Sequence, residues 1–301
     1  MYLAHWIGMV RQMEKRLGSN WVLLSPGLLI YLLFMVVPIG LCFYYSFFDW
    51  NGISPIYKFI GLANFMESIQ DFQFHRAIGV TLFISFVATL FINVLGIFFA
   101  IMLNRQGKLK HFYRSVFFFP QLLSPVVIGF LWQSILNYNG IFNQLMKLLS
   151  LPPVEFLSSR NGAVLTITGV IIWQVMGFAI VLYLAALQTI PKDLYESVKI
   201  DGASKWQEFI HITFPFLAPS ITINVVLLLT GSMREYDRVA VLTAGGPGGA
   251  TETIAYRVVN EAFVSNRLGY SSSMAIYSLF LVAIIAIVLT IYLRKMEDRI
   301  L

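Results

Sequence analysis

Six apolar runs, each long enough to cross a lipid bilayer, constrain this chain more than anything else in it. A spanning helix needs about 20 mostly apolar residues. Such stretches run near 22–48, 78–103, 116–136, 163–187, 216–235 and 272–293. They must be helical, because an unpaired backbone N–H or C=O is costly in hydrocarbon. Composition agrees. Charged residues are 12% of the 301, about half the soluble share of roughly 25%. One Cys, 11 Pro and 21 Gly exclude a disulfide scaffold, collagen and the disordered classes. The expected fold is all-α and polytopic. Residues 1–21 are a cytoplasmic amphipathic segment and 22–301 the transmembrane domain.

Lys and Arg set the orientation. Thirteen of the 21 fall in segments that lie inside if the N-terminus does, among them Arg11, Lys15, Arg16, Arg105, Lys192, Lys199 and Arg294. That bias predicts a cytoplasmic-membrane protein with both termini in the cytoplasm. The net charge of +6 is read the same way, so the expected environment is the bilayer and no nucleic-acid partner is expected. The first run is too long for a signal-peptide core and no small-residue cleavage site follows it, which predicts a retained span. Trp6, Met9, Val10, Met13 and Leu17 recur at helical spacing. They fit either a helix along the inner membrane surface or a solvated lead-in. Pro26, Pro38, Pro120 and Pro125 fall inside spans, where they kink helices for packing or line cavities.

Catalytic chemistry is missing from the sequence. HExxH, CxxC and GxxxxGK[ST] are absent, and His5, His75, His111 and His211 are scattered without metal spacing. Cys42 sits in an apolar run as a small buried side chain. No catalytic residue, metal site or resident cofactor is expected, and the chain reads as a non-enzyme. An ion-coupled secondary transporter needs carboxylates deep in several spans. Here they are almost confined to the ends of the fifth.

The most polar part of the core lies at 190–219, between spans four and five. Leu194, Val198 and Ala203 sit apolar while Asp193, Glu196, Lys199 and Asp201 stay wet, and Asp201 and Lys205 are spaced i,i+4. Gly202 permits a sharp turn, and Pro215 and Pro219 then reset the chain into span five. The pattern predicts a short helix-turn-helix protruding from the membrane, suited to docking in a groove of a soluble partner.

This segment resembles the EAA loop of ABC-importer permeases. Glu196 stands at the motif's Glu, Ser197 and Val198 replace its alanines, Asp201, Gly202 and Ala203 match its DGA, and Phe209, Ile212, Pro215 and Pro219 follow in register. Further matches are to permeases of the maltose and oligosaccharide type. Phe59 to Phe65 resembles FxGLxNF, Leu242 to Pro247 with Thr251 resembles LTxGGP…T, Gly269 to Ala275 resembles GYxxA, and Arg114 to Trp132 resembles their third span. The resemblance implies a binding-protein-dependent, ATP-driven sugar importer. In it, this chain pairs with a second permease subunit, docks on cytoplasmic ATPase subunits that bind ATP and Mg²⁺, and receives carbohydrate from an extracytoplasmic sugar-binding protein. Glycerol phosphate or a polyol is the alternative cargo, with Arg234 and Arg238 available to an anionic group.

The resemblance also suggests residues. Glu196, Asp201, Gly202 and Ala203 are the ATPase-coupling set. Trp173, Gln174 and Phe178 in span four, with Leu228, Gly231, Ser232 and Glu235 in span five, are the substrate-binding set. Sugars bind through aromatic faces and a few directed polar groups. Gln174 must face protein or a wet pathway, since lipid cannot satisfy its amide. Glu235 is either a pathway acid or an acid paired with Arg234 or Arg238, and Trp173 either a ligand platform or a core or lipid-facing ring. Gly245, Gly246 and Pro247 are expected in a flexible loop where the binding protein docks.

Overall fold

A computed structural model describes residues 24–104 and 110–300. The amphipathic segment expected over 1–21 lies outside the described residues. In chain order the helices are α1 (Leu24–Tyr45), α2 (Ala63–Gln70), α3 (Phe72–Asn104), α4 (Lys110–Leu122), α5 (Pro125–Leu136), α6 (Ile141–Leu148), α7 (Arg160–Thr189), α8 (Lys192–Ile200), α9 (Lys205–Ser232), α10 (Asp237–Leu242), α11 (Ile254–Phe263) and α12 (Leu268–Ile300). A two-residue hairpin, β1 (Phe48–Asp49) with β2 (Lys58–Phe59), precedes α2. Helices α1, α3, α7, α9 and α12 are long and apolar enough to cross a membrane.

The third apolar run departs from expectation. It is not one straight helix over 116–136 but a broken pair, α4 and the stretch from α5 on, bent by 97°. Read as one span, the pair is the sixth. The cause is local. Pro125 has no N–H and opens α5, and its ring holds Ser124 at ψ 138°, outside the helical region.

The fifth run also differs. Pro215 and Pro219 do not reset the chain, because α9 runs unbroken from Lys205 through both. A π-turn at Phe209–Thr213 makes this possible: the Phe214 N–H reaches back five residues to the Phe209 carbonyl, immediately before Pro215. The same device recurs in α1. There Val37 donates to Leu32 immediately before Pro38. A widened turn absorbs the donor that proline lacks and eases its clash with the carbonyl four residues back.

Helices α3 and α7 pack side by side and run parallel. Val80 and Val164 near their starts share one cleft, and Ile101 and Leu187 near their ends share another. Their seam holds Ile84, Ala88 and Ile92 against Ile167, Ile171, Ala179, Ile180 and Leu184, all buried. Small residues let the backbones close, since lipid offers no hydrophobic drive between helices. A Cβ added at Gly96 would stand 2.9 Å from that of Ala179. Polar groups meet in the seam too: the buried Tyr183 hydroxyl donates to Asn93. By contrast, α1 stands off. No residue of its apolar window is buried, and it touches the bundle through Cys42, whose thiol lies 3.7 Å from the Ser272 carbonyl.

Two faces result. One carries the α8–α9 turn, beside the ends of α3 and α7. The opposite, distal face carries the starts of these helices and the segments between spans.

Candidate functional site

The α8–α9 turn is fixed by its own sequence. Gly202 at φ +74° closes α8, with its N–H on the Lys199 carbonyl and the Ala203 N–H on the Val198 carbonyl. This is a Schellman arrangement, which glycine enters without strain. Ser204 then caps α9 reciprocally: its hydroxyl accepts from the Gln207 N–H, and the Gln207 side chain accepts from the Ser204 N–H at 2.8 Å. Leu194 and Val198 pack on the core, and the Tyr195 hydroxyl meets Thr213 at 3.2 Å. Asp193, Glu196, Lys199, Asp201 and Gly202 are exposed and Ala203 is half-buried. Two expectations change. The second helix is not a free-standing member of a pair but the first turns of α9. Lys205 pairs with Glu208 at 3.7 Å rather than with Asp201, because the Gly202 turn removes Asp201 from the helix.

Sequence reasoning missed Ile200 and Trp206. They flank the turn at 85% and 67% exposure, two large apolar side chains left in the open. The signal was present: Ile200 falls off the stripe made by Leu194 and Val198.

The substrate-binding set is spread over buried, half-buried and exposed positions. Gln174 is 2% exposed and bonded on both sides of its amide. Its Nε2 donates to the Leu123 carbonyl at 2.9 Å, at the α4–α5 break, and its Oε1 accepts from Arg238 Nε at 2.9 Å. Arg238 in turn pairs with Glu235. Of the two readings left open for Glu235, the geometry shows the acid paired with Arg238. Arg238 is thereby committed, which removes it as a receiver of an anionic cargo, while Arg234 stays exposed. Leu228 and Ser232 are buried, Phe178 half-buried and Gly231 exposed. Trp173 lies on another face of α7, in line with the exposed Asn161, Leu165 and Gly169, and meets Trp132 edge to face at 5.4 Å.

On the distal face, Gly245, Gly246 and Pro247 sit in a loop with its own internal hydrogen bonds. Buried Thr251 holds it, donating to the Gly246 carbonyl at 2.8 Å and meeting Thr243 at 2.7 Å. Gly245 has φ +81°, and a Cβ there would stand 2.7 Å from the Tyr256 ring. The motifs at Phe59 to Phe65 and Gly269 to Ala275 meet on this face. Asn64 donates to the Ser46 and Phe48 carbonyls, both at 2.9 Å, and Ser68 meets Ser273 at 2.7 Å. Arg257 binds Asp71 at 2.8 Å, Glu252 at 3.2 Å and Glu261 at 3.4 Å. Burial pushes the Asp71 carboxyl up, but hydrogen bonds from Tyr270 and Arg257 prevail and hold it below the ordinary range. No group of His, Cys, Asp and Glu among the described residues could hold a metal ion.

Comparison with known proteins gives this geometry a context. Residues 92–298 match the family described as binding-protein-dependent transport system inner membrane component. A multiple sugar-binding transport system permease protein of Streptococcus mutans is 32% identical, over 92% of this chain and 96% of its own. An sn-glycerol-3-phosphate transport system permease protein of Agrobacterium fabrum is 29% identical, over 93% and 95%. Among solved structures, a bacterial ABC transporter involved in the import of the acidic polysaccharide alginate superposes with a TM-score of 0.79 at 26% identity, covering 96% of this chain and 99% of that one.

Proposed function

The chain belongs to the family of binding-protein-dependent transport system inner membrane components, and from that premise we propose that it forms half of the translocation pathway of an ATP-driven importer for a sugar or oligosaccharide. It is a transport subunit and not an enzyme. The exposed α8–α9 turn carries the reading. Ile200 and Trp206 leave apolar surface uncovered on a turn whose backbone is fully capped, which suits insertion into a groove of a cytoplasmic ATPase subunit. Glu196, Asp201, Gly202 and Ala203 complete that contact. ATP and Mg²⁺ belong to the ATPase. Its closure shifts the docked turn, and α9 moves with it as one body.

The remaining parts follow. A second permease subunit supplies the other half of the pathway, and both termini are cytoplasmic. An extracytoplasmic binding protein meets the distal face at Gly245, Gly246 and Pro247. Trp173, Gln174, Phe178, Leu228, Gly231, Ser232 and Glu235 are the proposed substrate contacts. Gln174 and Glu235 are both bonded to Arg238, so sugar reaches them only when Arg238 releases them. The relative named for multiple sugars supports carbohydrate. Glycerol phosphate or a polyol is the second reading, supported by the relative named for glycerol phosphate and by exposed Arg234.

Co-purification in detergent with candidate ATPase subunits tests the coupling, with wild type against Gly202→Asp and Trp206→Ala. Wild type should retain the ATPase and the variants lose or uncouple it. Stimulation of ATPase activity in proteoliposomes by a panel of sugars and glycerol phosphate then selects the cargo. If wild type retains no ATPase under any condition, the importer reading fails.

A further inference from the structure

A cleft of about 570 Å³ lies between the first turns of α3 and α7 on the distal face. Its walls are apolar: Val80, Phe83, Val164 and Leu165. Phe83 and Leu165 are 45% and 57% exposed, so the apolar wall is open along its side. Its rim is cationic. Arg76 and Arg160 stand there, and neither forms an ion pair among the described residues. Arg76 gives its Nη1 to the Gly248 carbonyl at 2.9 Å, while its Nε is buried with no acceptor. Arg160 opens a 30-residue helix with no acid in its first turn. Helix N-termini favour negative charge, so an arginine here adds to a positive field that no acid in that first turn offsets.

We propose that this cleft binds an anionic phospholipid, with the phosphate between Arg76 and Arg160 and an acyl chain against Phe83 and Leu165. The two halves of the site ask for two chemistries in one ligand. A free phosphate or an acidic sugar satisfies the rim and leaves the apolar slot empty. A neutral lipid fills the slot and leaves two guanidiniums without a counter-charge. An anionic lipid meets both demands, since basic side chains at the membrane surface attract anionic headgroups. Because Arg76 also holds Gly248, the lipid would brace the loop that carries Gly245, Gly246 and Pro247.

Native mass spectrometry of the full chain in detergent tests the site, with added phosphatidylglycerol against phosphatidylcholine of the same acyl chains. Wild type should retain phosphatidylglycerol in preference by about tenfold, and the double variant Arg76→Gln, Arg160→Gln should lose the preference. Millimolar inorganic phosphate should not displace the lipid. Equal retention of the two lipids by wild type, or an unchanged preference in the double variant, overturns the proposal. Displacement by inorganic phosphate overturns it too, leaving a free-anion site. Leu165→Trp keeps both charges and fills the slot. It should also lower retention, and it decides the matter if the double variant does not fold, unchanged retention then counting against the lipid.

Discussion

The distal face and the α8–α9 turn solve the same problem, fixing backbone outside the membrane, in opposite ways. On the distal face three separated segments lock one another. Asn64 clamps the hairpin, Arg257 gathers three carboxylates, and Thr253 donates to the Glu235 carbonyl at 2.6 Å. The α8–α9 turn uses local bonds between neighbours in sequence, and its one ion pair, Lys205–Glu208, is largely exposed at the lysine. The first region is closed by bonds between distant segments, though Ile53, Ile56, Phe263 and Val264 stay exposed at its surface. The second is rigid in backbone but unfinished in surface, with Ile200 and Trp206 uncovered. Rigidity and completeness are separate properties, and a docking element needs the first without the second.

The sharpest way to break this contrast is at Arg257. Arg257→Met leaves Asp71, Glu252 and Glu261 without their cation, and losing one partner of a buried cluster costs about 3 kcal/mol. Unfolding in detergent should show it, and a change within about 0.5 kcal/mol would mean that the distal lock holds without its hub. Next is Gln174→Ala, which strands Arg238 Nε and the Leu123 carbonyl and should cost about 2 kcal/mol by the same measurement. Acid comes third. Asp71 has a depressed folded pKa, so its contribution is complete above the ordinary aspartate value of 3.8 and is lost as pH falls through the folded value. Asp71→Asn should remove that acid-side loss, read from thermal midpoints against pH. Trp206→Ala should move stability least, within about 0.5 kcal/mol, while it still weakens ATPase retention. Trp206→Ala that destabilises by as much as Arg257→Met would erase the distinction between the regions.

How much of this was legible depends on how local each signal is. Hydropathy alone located the spans, because lipid demands long apolar helices whatever their packing. The break before Pro125 was half legible: the proline was plain, but a kink and a 97° turn look alike until Ser124 leaves the helical region. At Pro215 the same residue type misled, since the π-turn that carries α9 past it has no composition signature. The Ser204–Gln207 capping box was written at its usual spacing and was not read as one. Arg238 was left open between pairing with Glu235 and serving an anionic group, and only the fold shows it spent on Glu235 and on Gln174, the latter 64 residues away.

The unbroken course of α9 through two prolines has a mechanical side. A rod of 28 residues is about 42 Å long at roughly 1.5 Å per residue. Pivoted near its middle, it is a first-class lever. A tilt of about 10° carries each end of such a rod some 4 Å, in opposite directions. A reset at Pro215 would have placed a hinge near the load-bearing end and let the stroke dissipate in bending. Because its hydrogen bonding continues through the π-turn, such a helix would turn a push at Trp206 into an opposite swing at Ser232, three residues before Glu235.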